Sequence, residues 1–508
     1  MIARKSALIV ATNIINGALA YVALFFITRY MEPDDYGIVA FAMGFVALFT
    51  IFGRMGFDQA HIKKMSEGKD PGICIGTFFA SKIGLIGLMT LITLVVIFFW
   101  KAIMGRGFET STHELAIYIM MGYWAIKLIT ESFITTFRAK KEIAKANVPI
   151  FLGTLIRVAV TIYVAVGGFG AIALAFTYIS GEIAYLLSAL YLFRIYPIKR
   201  PTHTYFKDYS KFAFPLVIVV SCSIIMTNID KVLIQLFWDA ADVGFYFAAF
   251  RLTVFINMFT LAIGTLLFPT FSMLHADNNI EGIRRLTFQS ERYLSMIIFP
   301  IVLGMVVLAE PAVFILLSGW MPVVPILQIL PFFVLLAALG RPHDVQIVGM
   351  GYPKLSRNRV LIMVCFNVVL NIILIPKDIQ MLGGIQLAGM GAKGAAIATV
   401  ISYGIGLVYN RIIAWKLTKV KVNPRILLHG LAAGVMATIL YNILYTFNMI
   451  EFLTRWYHLL AISLLGLGIY LVILFLFKEF TKIDFHFFID TLNIKKMIQY
   501  IRKELKNK

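Results

Sequence analysis

Met31-Glu32-Pro33-Asp34-Asp35-Tyr36-Gly37 is a short acidic turn between two apolar runs, and it returns 207 positions later as Trp238-Asp239-Ala240-Ala241-Asp242-Val243-Gly244. Glu32 falls on Asp239, Asp35 on Asp242 and Gly37 on Gly244, and the "IVAFAMG" that follows is echoed by "FYFAAFR". A turn-plus-helix recurring once at mid-chain marks a chain built from two related halves.

The material on either side of the turn is membrane material. Of the 508 residues 60% are hydrophobic and only 14% charged, and the mean hydropathy is +0.86. The apolar runs are continuous rather than alternating, which argues for spanning helices over a barrel. With ~20 residues needed to cross the bilayer, the runs give about fourteen spans, at 7–29, 38–58, 76–99, 115–136, 147–167, 170–192, 212–236, 243–268, 293–317, 323–345, 358–376, 393–414, 426–447 and 457–477. The fold class expected is an all-α polytopic membrane protein. Residues 1–200 and 201–415 form two six-helix bundles, 416–477 add two helices, and 478–508 make a basic amphipathic cytoplasmic tail. The basic stretch Arg194–Lys211 separates the bundles. Leu274–Arg292 reads as a surface helix joining spans eight and nine.

The net charge of +20 is unevenly placed. Alternate connections hold most of the Lys and Arg residues, among them Lys63, Lys64, Lys69, Arg138, Lys140, Lys141, Arg284, Arg285 and the Lys-rich tail, whereas the opposite face has Arg29, Lys101, Arg106, Lys377, Lys393 and Arg455. This asymmetry puts both termini in the cytoplasm. It also accounts for the positive charge without nucleic acid, since basic loops lie beside anionic headgroups. Ala18-Leu19-Ala20 imitates a cleavage site, but the apolar run continues to Ile27, so the first span is expected to remain. Cys74, Cys222 and Cys365 are scattered and form neither a disulfide framework nor a metal site.

No catalytic constellation emerges. Gly389-Met390-Gly391-Ala392-Lys393-Gly394 matches a dinucleotide fingerprint in letters, but no strand precedes it and it opens a span. The outward connections are too short for the acceptor-binding domain of a glycan polymerase or ligase. No cofactor, metal or enzymatic activity is expected.

What remains is charge inside the membrane, which is costly there and normally faces a partner or a wet cavity. Arg251 lies about eight residues into its span with no acid three or four positions away, and Arg54 lies deep in the second span, one turn before Asp58. Arg157 is mid-span, with Glu182 at a matching depth on the next helix as a possible structural partner, and Lys127 has Glu131 four residues on. Asp230 and Lys231 are neighbours pointing ~100° apart, so Lys231 can reach a cavity while Asp230 pairs elsewhere. The candidate substrate-binding cations are therefore Arg54, Arg251, Lys127, Arg157 and Lys231. Arginine matches phosphate because its planar fork makes two parallel hydrogen bonds.

Two stretches carry a family resemblance. "FITRYMEPDDYGIVAFAMGFVALFTIFGRMGFDQAHIKK" and the pair "NVVLNIILIP" (Asn367–Pro376) with "GAKGAAIATVIS" (Gly391–Ser402) resemble the polysaccharide transporter (oligosaccharide flippase) family of the multidrug/oligosaccharidyl-lipid/polysaccharide exporter superfamily. The resemblance implies alternating-access movement of a lipid-linked (polyprenyl-phosphate or pyrophosphate) oligosaccharide to the outer leaflet of the cell membrane. It implies glycan-assembly enzymes as partners, together with the bilayer and the lipid substrate. The lipid II flippase branch carries cavity arginines on spans one, two and eight. Arg54, before Gly56-Phe57-Asp58-Gln59-Ala60, resembles the second-span position, and Arg251 falls on the eighth. The first span departs from that pattern, with only Arg29 at its outer end. The alternative within the superfamily is a multidrug or organic-cation antiporter relying on a mid-span acid, Glu131 or Glu182.

Overall fold

The structure is a computed structural model that describes residues 2–104, 108–379 and 384–479. The expected amphipathic tail lies outside the described residues from position 480 onward. The chain is almost entirely helical, and among the described residues thirteen helices are long and apolar enough to cross a membrane. The first half runs α1 (Ile2–Tyr30), α2 (Pro33–Arg54), α3 (Phe57–Ser66), α4 (Pro71–Met104), α5 (Ser111–Ala139), α6 (Ile143–Val166) and α7 (Ala171–Phe193). Then come α8 (His203–Ala213), α9 (Val217–Phe237), α10 (Ala240–Val254), α11 (Asn257–Ala276), α12 (Ile280–Val307), α13 (Ala309–Leu316), α14 (Val323–Ile329), α15 (Pro331–Gly349) and α16 (Pro353–Leu374). The chain closes with α17 (Gly391–Thr418), α18 (Arg425–Tyr441) and α19 (Trp456–Leu476).

Two expected spans are bent. The second is α2 plus α3, broken where Met55 and Gly56 take φ of 39° and 75°, left-handed values that end a helix. The eighth is α10 plus α11, interrupted at 255–256. No separate surface helix occupies 274–292. Instead Asn279 caps α12, accepting from the Gly282 amide at 2.7 Å, and α12 runs unbroken to Val307. The connection after α16 carries a two-residue antiparallel ribbon, β1 (Asp378–Ile379) on β2 (Ile385–Gln386).

The helices form two compact units. One comprises Thr12–Leu252 and Arg357–Gly406, and the other contains Thr253–Ser356 and the described residues from Leu407 onward. Within the first, the two copies of the repeated turn meet. A Cβ on Gly37 would fall 1.6 Å from the Ala240 carbonyl oxygen, and one on Gly244 would fall 2.4 Å from that of Pro33. Since Ala240 is the repeat mate of Pro33, and Gly244 of Gly37, the contact is reciprocal, as a two-fold relation between repeats requires. Only glycine permits that approach. Asp35 continues outward, its carboxylate accepting from the Ala171 amide at 2.9 Å and so fixing the start of α7. From the second turn, the Trp238 indole donates to Ile375 O at 2.8 Å, and a Cβ on Gly391 would lie 2.9 Å from its ring. The glycines of the false dinucleotide motif thus serve a turn and a close packing.

In the second unit the end of α19 is clamped by charge. Glu479 is buried. It accepts from Arg292 Nε at 2.5 Å and Arg425 NH1 at 2.7 Å, with His429 Nε2 3.3 Å away. Burial works to raise this carboxyl, and the two guanidiniums outweigh it, holding Glu479 below the usual carboxylate range. A carboxyl whose folded value is depressed adds stability that is present above its unfolded value, ~4.3, and is lost as the pH falls through the folded value. Removing one side of a buried pair costs ~3–5 kcal/mol. Glu479→Gln should therefore unfold at a lower temperature than wild type at pH 7, and the gap should close as the solution is acidified below the carboxylate range. A gap that does not change with pH contradicts the clamp.

Candidate substrate-binding site

All five candidate cations lie in the first unit, at two depths. Towards the end that carries the basic connections is a balanced quartet. Arg54 NH2 lies 2.7 Å from Glu131 Oε2 and its NH1 3.8 Å from Asp58. Asp58 is also 3.1 Å from the amine of Lys82, which is buried and donates to Gly53 O. Two cations and two carboxylates neutralise one another here. Arg54 pairs with an acid on another helix, a partner that nothing along its own helix signals. Asp58, one turn further along the chain, is the more distant of its two acids. Arg54 therefore stands apart from Lys127, Arg157 and Arg251, which line cavities.

Towards the repeated turns the balance changes. Arg251, on α10, sits over the Phe247 ring at 4.7 Å, with its guanidinium in hydrogen-bonding reach of Tyr36 and Tyr178. Lys231, on α9, is buried, donates to Asn228 Oδ1 at 2.9 Å and lies 5.2 Å from the same Phe247 ring. Arg157, on α6, stacks 5.2 Å over Tyr178. Arg157 and Arg251 line one narrow cleft of about 30 Å³ with Tyr36 and Tyr178. Arg157 and Tyr178 also line a neighbouring cavity of about 320 Å³ with Lys127, Glu131 and Glu182. The Lys127 amine donates to the Tyr123 hydroxyl at 2.8 Å. Among the described residues none of Lys127, Arg157, Lys231 and Arg251 lies within 4.0 Å of a carboxylate oxygen. Arg157 and Glu182 do not pair across their hairpin.

Asp230 explains why Lys231 is left without a counter-ion. Its carboxylate accepts from Tyr246 OH at 2.5 Å, Asn371 Nδ2 at 2.6 Å and Thr399 Oγ1 at 3.1 Å, and Asn371 also donates to Asn367 Oδ1 at 3.1 Å. Asp230 and Lys231 thus have different hydrogen-bond partners. The two stretches that carried the resemblance in the second half supply Asn367, Asn371 and Thr399, residues not singled out in the sequence. Truncating Asp230 orphans three buried donors at ~1–3 kcal/mol each. Asp230→Ala should lower the unfolding midpoint markedly, and Asp230→Asn much less. Equal midpoints for the two variants contradict the role of this network.

The aromatic cage around Arg251 was also missed. Tyr36 could have been noticed as a member of the repeated turn, but nothing in the sequence marks Tyr178 as its neighbour.

This bent-helix, glycine-crossed, cation-bearing fold has relatives. Residues 12–325 match the family described as polysaccharide biosynthesis protein. The chain belongs to that family. Among curated proteins it is similar to the probable low-salt glycan biosynthesis flippase Agl15 of Haloferax volcanii, at 21% identity over 80% of this chain and 82% of that one. Among solved structures it is similar to the lipid II flippase MurJ in an inward closed conformation, with a TM-score of 0.71, 18% identity, and coverage of 92% of this chain and 98% of that one. It is also similar to an inward-facing multidrug resistance MATE transporter, with a TM-score of 0.63, 16% identity, and coverage of 80% and 96%. At these identities the structural likeness establishes the fold alone, a polytopic all-helical one.

Proposed function

We propose that the protein is a flippase that moves a lipid-linked oligosaccharide, carried on a polyprenyl phosphate or pyrophosphate, from the cytoplasmic to the outer leaflet of the cell membrane for glycan assembly. The observation that carries this reading is the set of cations Arg157, Lys231 and Arg251, which lie on apolar helices with no carboxylate oxygen within 4.0 Å among the described residues. A buried charge is kept where something compensates it. The two guanidiniums and the amine suit the oxygens of a phosphate better than any neutral group. The cleft at Arg251 now has space for little more than a water. The site is shut around its cations in this conformation, and binding requires it to open. Alternating access supplies that opening if the two six-helix halves, 1–200 and 201–415, rock against each other.

The relatives support the same direction, since one is named a glycan biosynthesis flippase and another a lipid II flippase. The antiporter alternative needs a mid-span acid free to meet an organic cation. Glu131 is committed to Arg54, which weakens that reading for it, and Glu182 keeps the alternative testable. Nothing in this reading requires catalysis, a metal or a cofactor.

The test is leaflet exchange. Purified protein is placed in liposomes containing a fluorescent polyprenyl-phosphate sugar, and the fraction of probe open to a membrane-impermeant quencher is followed. Exchange should exceed that of protein-free liposomes and depend on Arg251. If only lipophilic cations move, and Glu182 is the residue required, the antiporter reading replaces this one.

A further inference from the structure

The cavity of about 320 Å³ among α5, α6 and α7 differs chemically from the cation cleft beside it. Two carboxylates face it, those of Glu131 and Glu182, and so do the Lys127 amine and the side chains of Arg138 and Arg157, with Tyr123 and Tyr178 supplying ring surface. Glu182 is 7% exposed, and its Oε1 is buried without a hydrogen-bond partner. A buried carboxylate oxygen in that state calls for a donor. A phosphate brings no donor when ionised, so it would leave that Glu182 oxygen unmet. A pyranose brings several hydroxyls, each able to donate to one group and accept from another, and an apolar ring face that packs on aromatic surface. The volume falls within the range of small-molecule sites, ~300–1,000 Å³. The walls are rigid, because α6 and α7 approach closely. A Cβ on Gly153 would lie 2.8 Å from Gly181 O, and one on Gly181 would lie 2.5 Å from Arg157 Cβ.

We infer that this cavity is a subsite for a sugar unit of the substrate, with Glu182 as its hydroxyl acceptor and Lys127 and Arg157 as its donors. Arg157 and Tyr178 border both this cavity and the cleft of Arg251. A phosphate at Arg157 and Arg251 would thus have its attached sugar in the cavity. The inference rests on the flippase reading and assigns recognition of the glycan to α5–α7, apart from recognition of the phosphate.

The experiment measures equilibrium dissociation constants for the full-length protein in detergent with two probes, polyprenyl pyrophosphate alone and the same lipid bearing one hexose. Glu182→Met removes the acceptor and the buried charge. Thr154→Leu enlarges a side chain in the cavity wall without touching a charge. Both variants should weaken binding of the sugar-bearing lipid by about tenfold, the scale of losing one hydroxyl contact in a built site, and leave the bare lipid within about twofold of wild type. Unchanged binding of the sugar-bearing lipid in both variants overturns the subsite, as does equal weakening of the two probes. The flippase reading fails separately, if wild type holds neither probe or if Arg251→Ala leaves both dissociation constants unchanged.

Discussion

Arg251→Ala should slow leaflet exchange of the sugar-bearing lipid by about a hundredfold with the protein still folded. Among the described residues the guanidinium has no carboxylate within 4.0 Å, so its removal orphans no acid there; the Tyr36 and Tyr178 hydroxyls lose a partner along with the visiting phosphate. Truncating one side of a hydrogen-bonded charge pair in a desolvated site costs ~2–5 kcal/mol, of which ~2.7 kcal/mol corresponds to the hundredfold. Arg251→Lys keeps the charge but loses the fork, and should retain part of the activity. Arg54→Ala offers the contrast. It strips Glu131 of its 2.7 Å partner and disturbs Asp58 and Lys82, so its first effect should be on the unfolding midpoint. Exchange at the wild-type rate in Arg251→Ala, measured in the liposome assay, would remove the binding role.

The largest effect on stability is expected at Gly37. A valine there would drive its Cβ into the space of the Ala240 carbonyl, where even an alanine carbon would stand 1.6 Å away. No rotamer relieves a clash between Cβ and backbone. The two turns must separate, breaking the junction of α2 with α10, and a loss above ~4 kcal/mol follows. Gly244→Ala should be damaging for the reciprocal reason. Gly84→Ala is the control, because a Cβ there meets nothing within 4 Å, and at a helical position alanine is favoured by up to ~1 kcal/mol. Midpoints of thermal unfolding in detergent should rank Gly84→Ala at or above wild type and Gly37→Val far below it. A Gly37→Val protein that melts with wild type would show that the repeat contact does not hold the first unit together.

Along single helices the sequence was informative. Apolar run lengths placed the spans, the repeat located the turns that pack together, and the absence of an acid near Arg251 on its own helix singled it out. The adjacency of Asp230 and Lys231 was enough to send them to different neighbours. Pairing between helices was not legible. Arg54 and Glu131 are 77 positions apart on different helices, and which face of a span meets which neighbour depends on its rotation about its own axis. In a membrane helix, lipid-facing and protein-facing sides are both apolar, so hydrophobic periodicity does not encode that rotation. For the same reason Lys82 could not be assigned to Asp58, nor Tyr178 to Arg251. The break at 255–256 was hidden because that stretch carries neither proline nor glycine.

The central claim is that a phosphate binds the cations that have no carboxylate partner among the described residues. The most direct measurement is an electron cryo-microscopy structure of the full-length protein in nanodiscs with a polyprenyl pyrophosphate-linked sugar bound. The account predicts phosphate density between Arg157, Arg251 and Lys231, with Arg54 still paired to Glu131. Phosphate density at the Arg54 quartet, or anywhere that leaves Arg251 enclosed by its tyrosines, would contradict it.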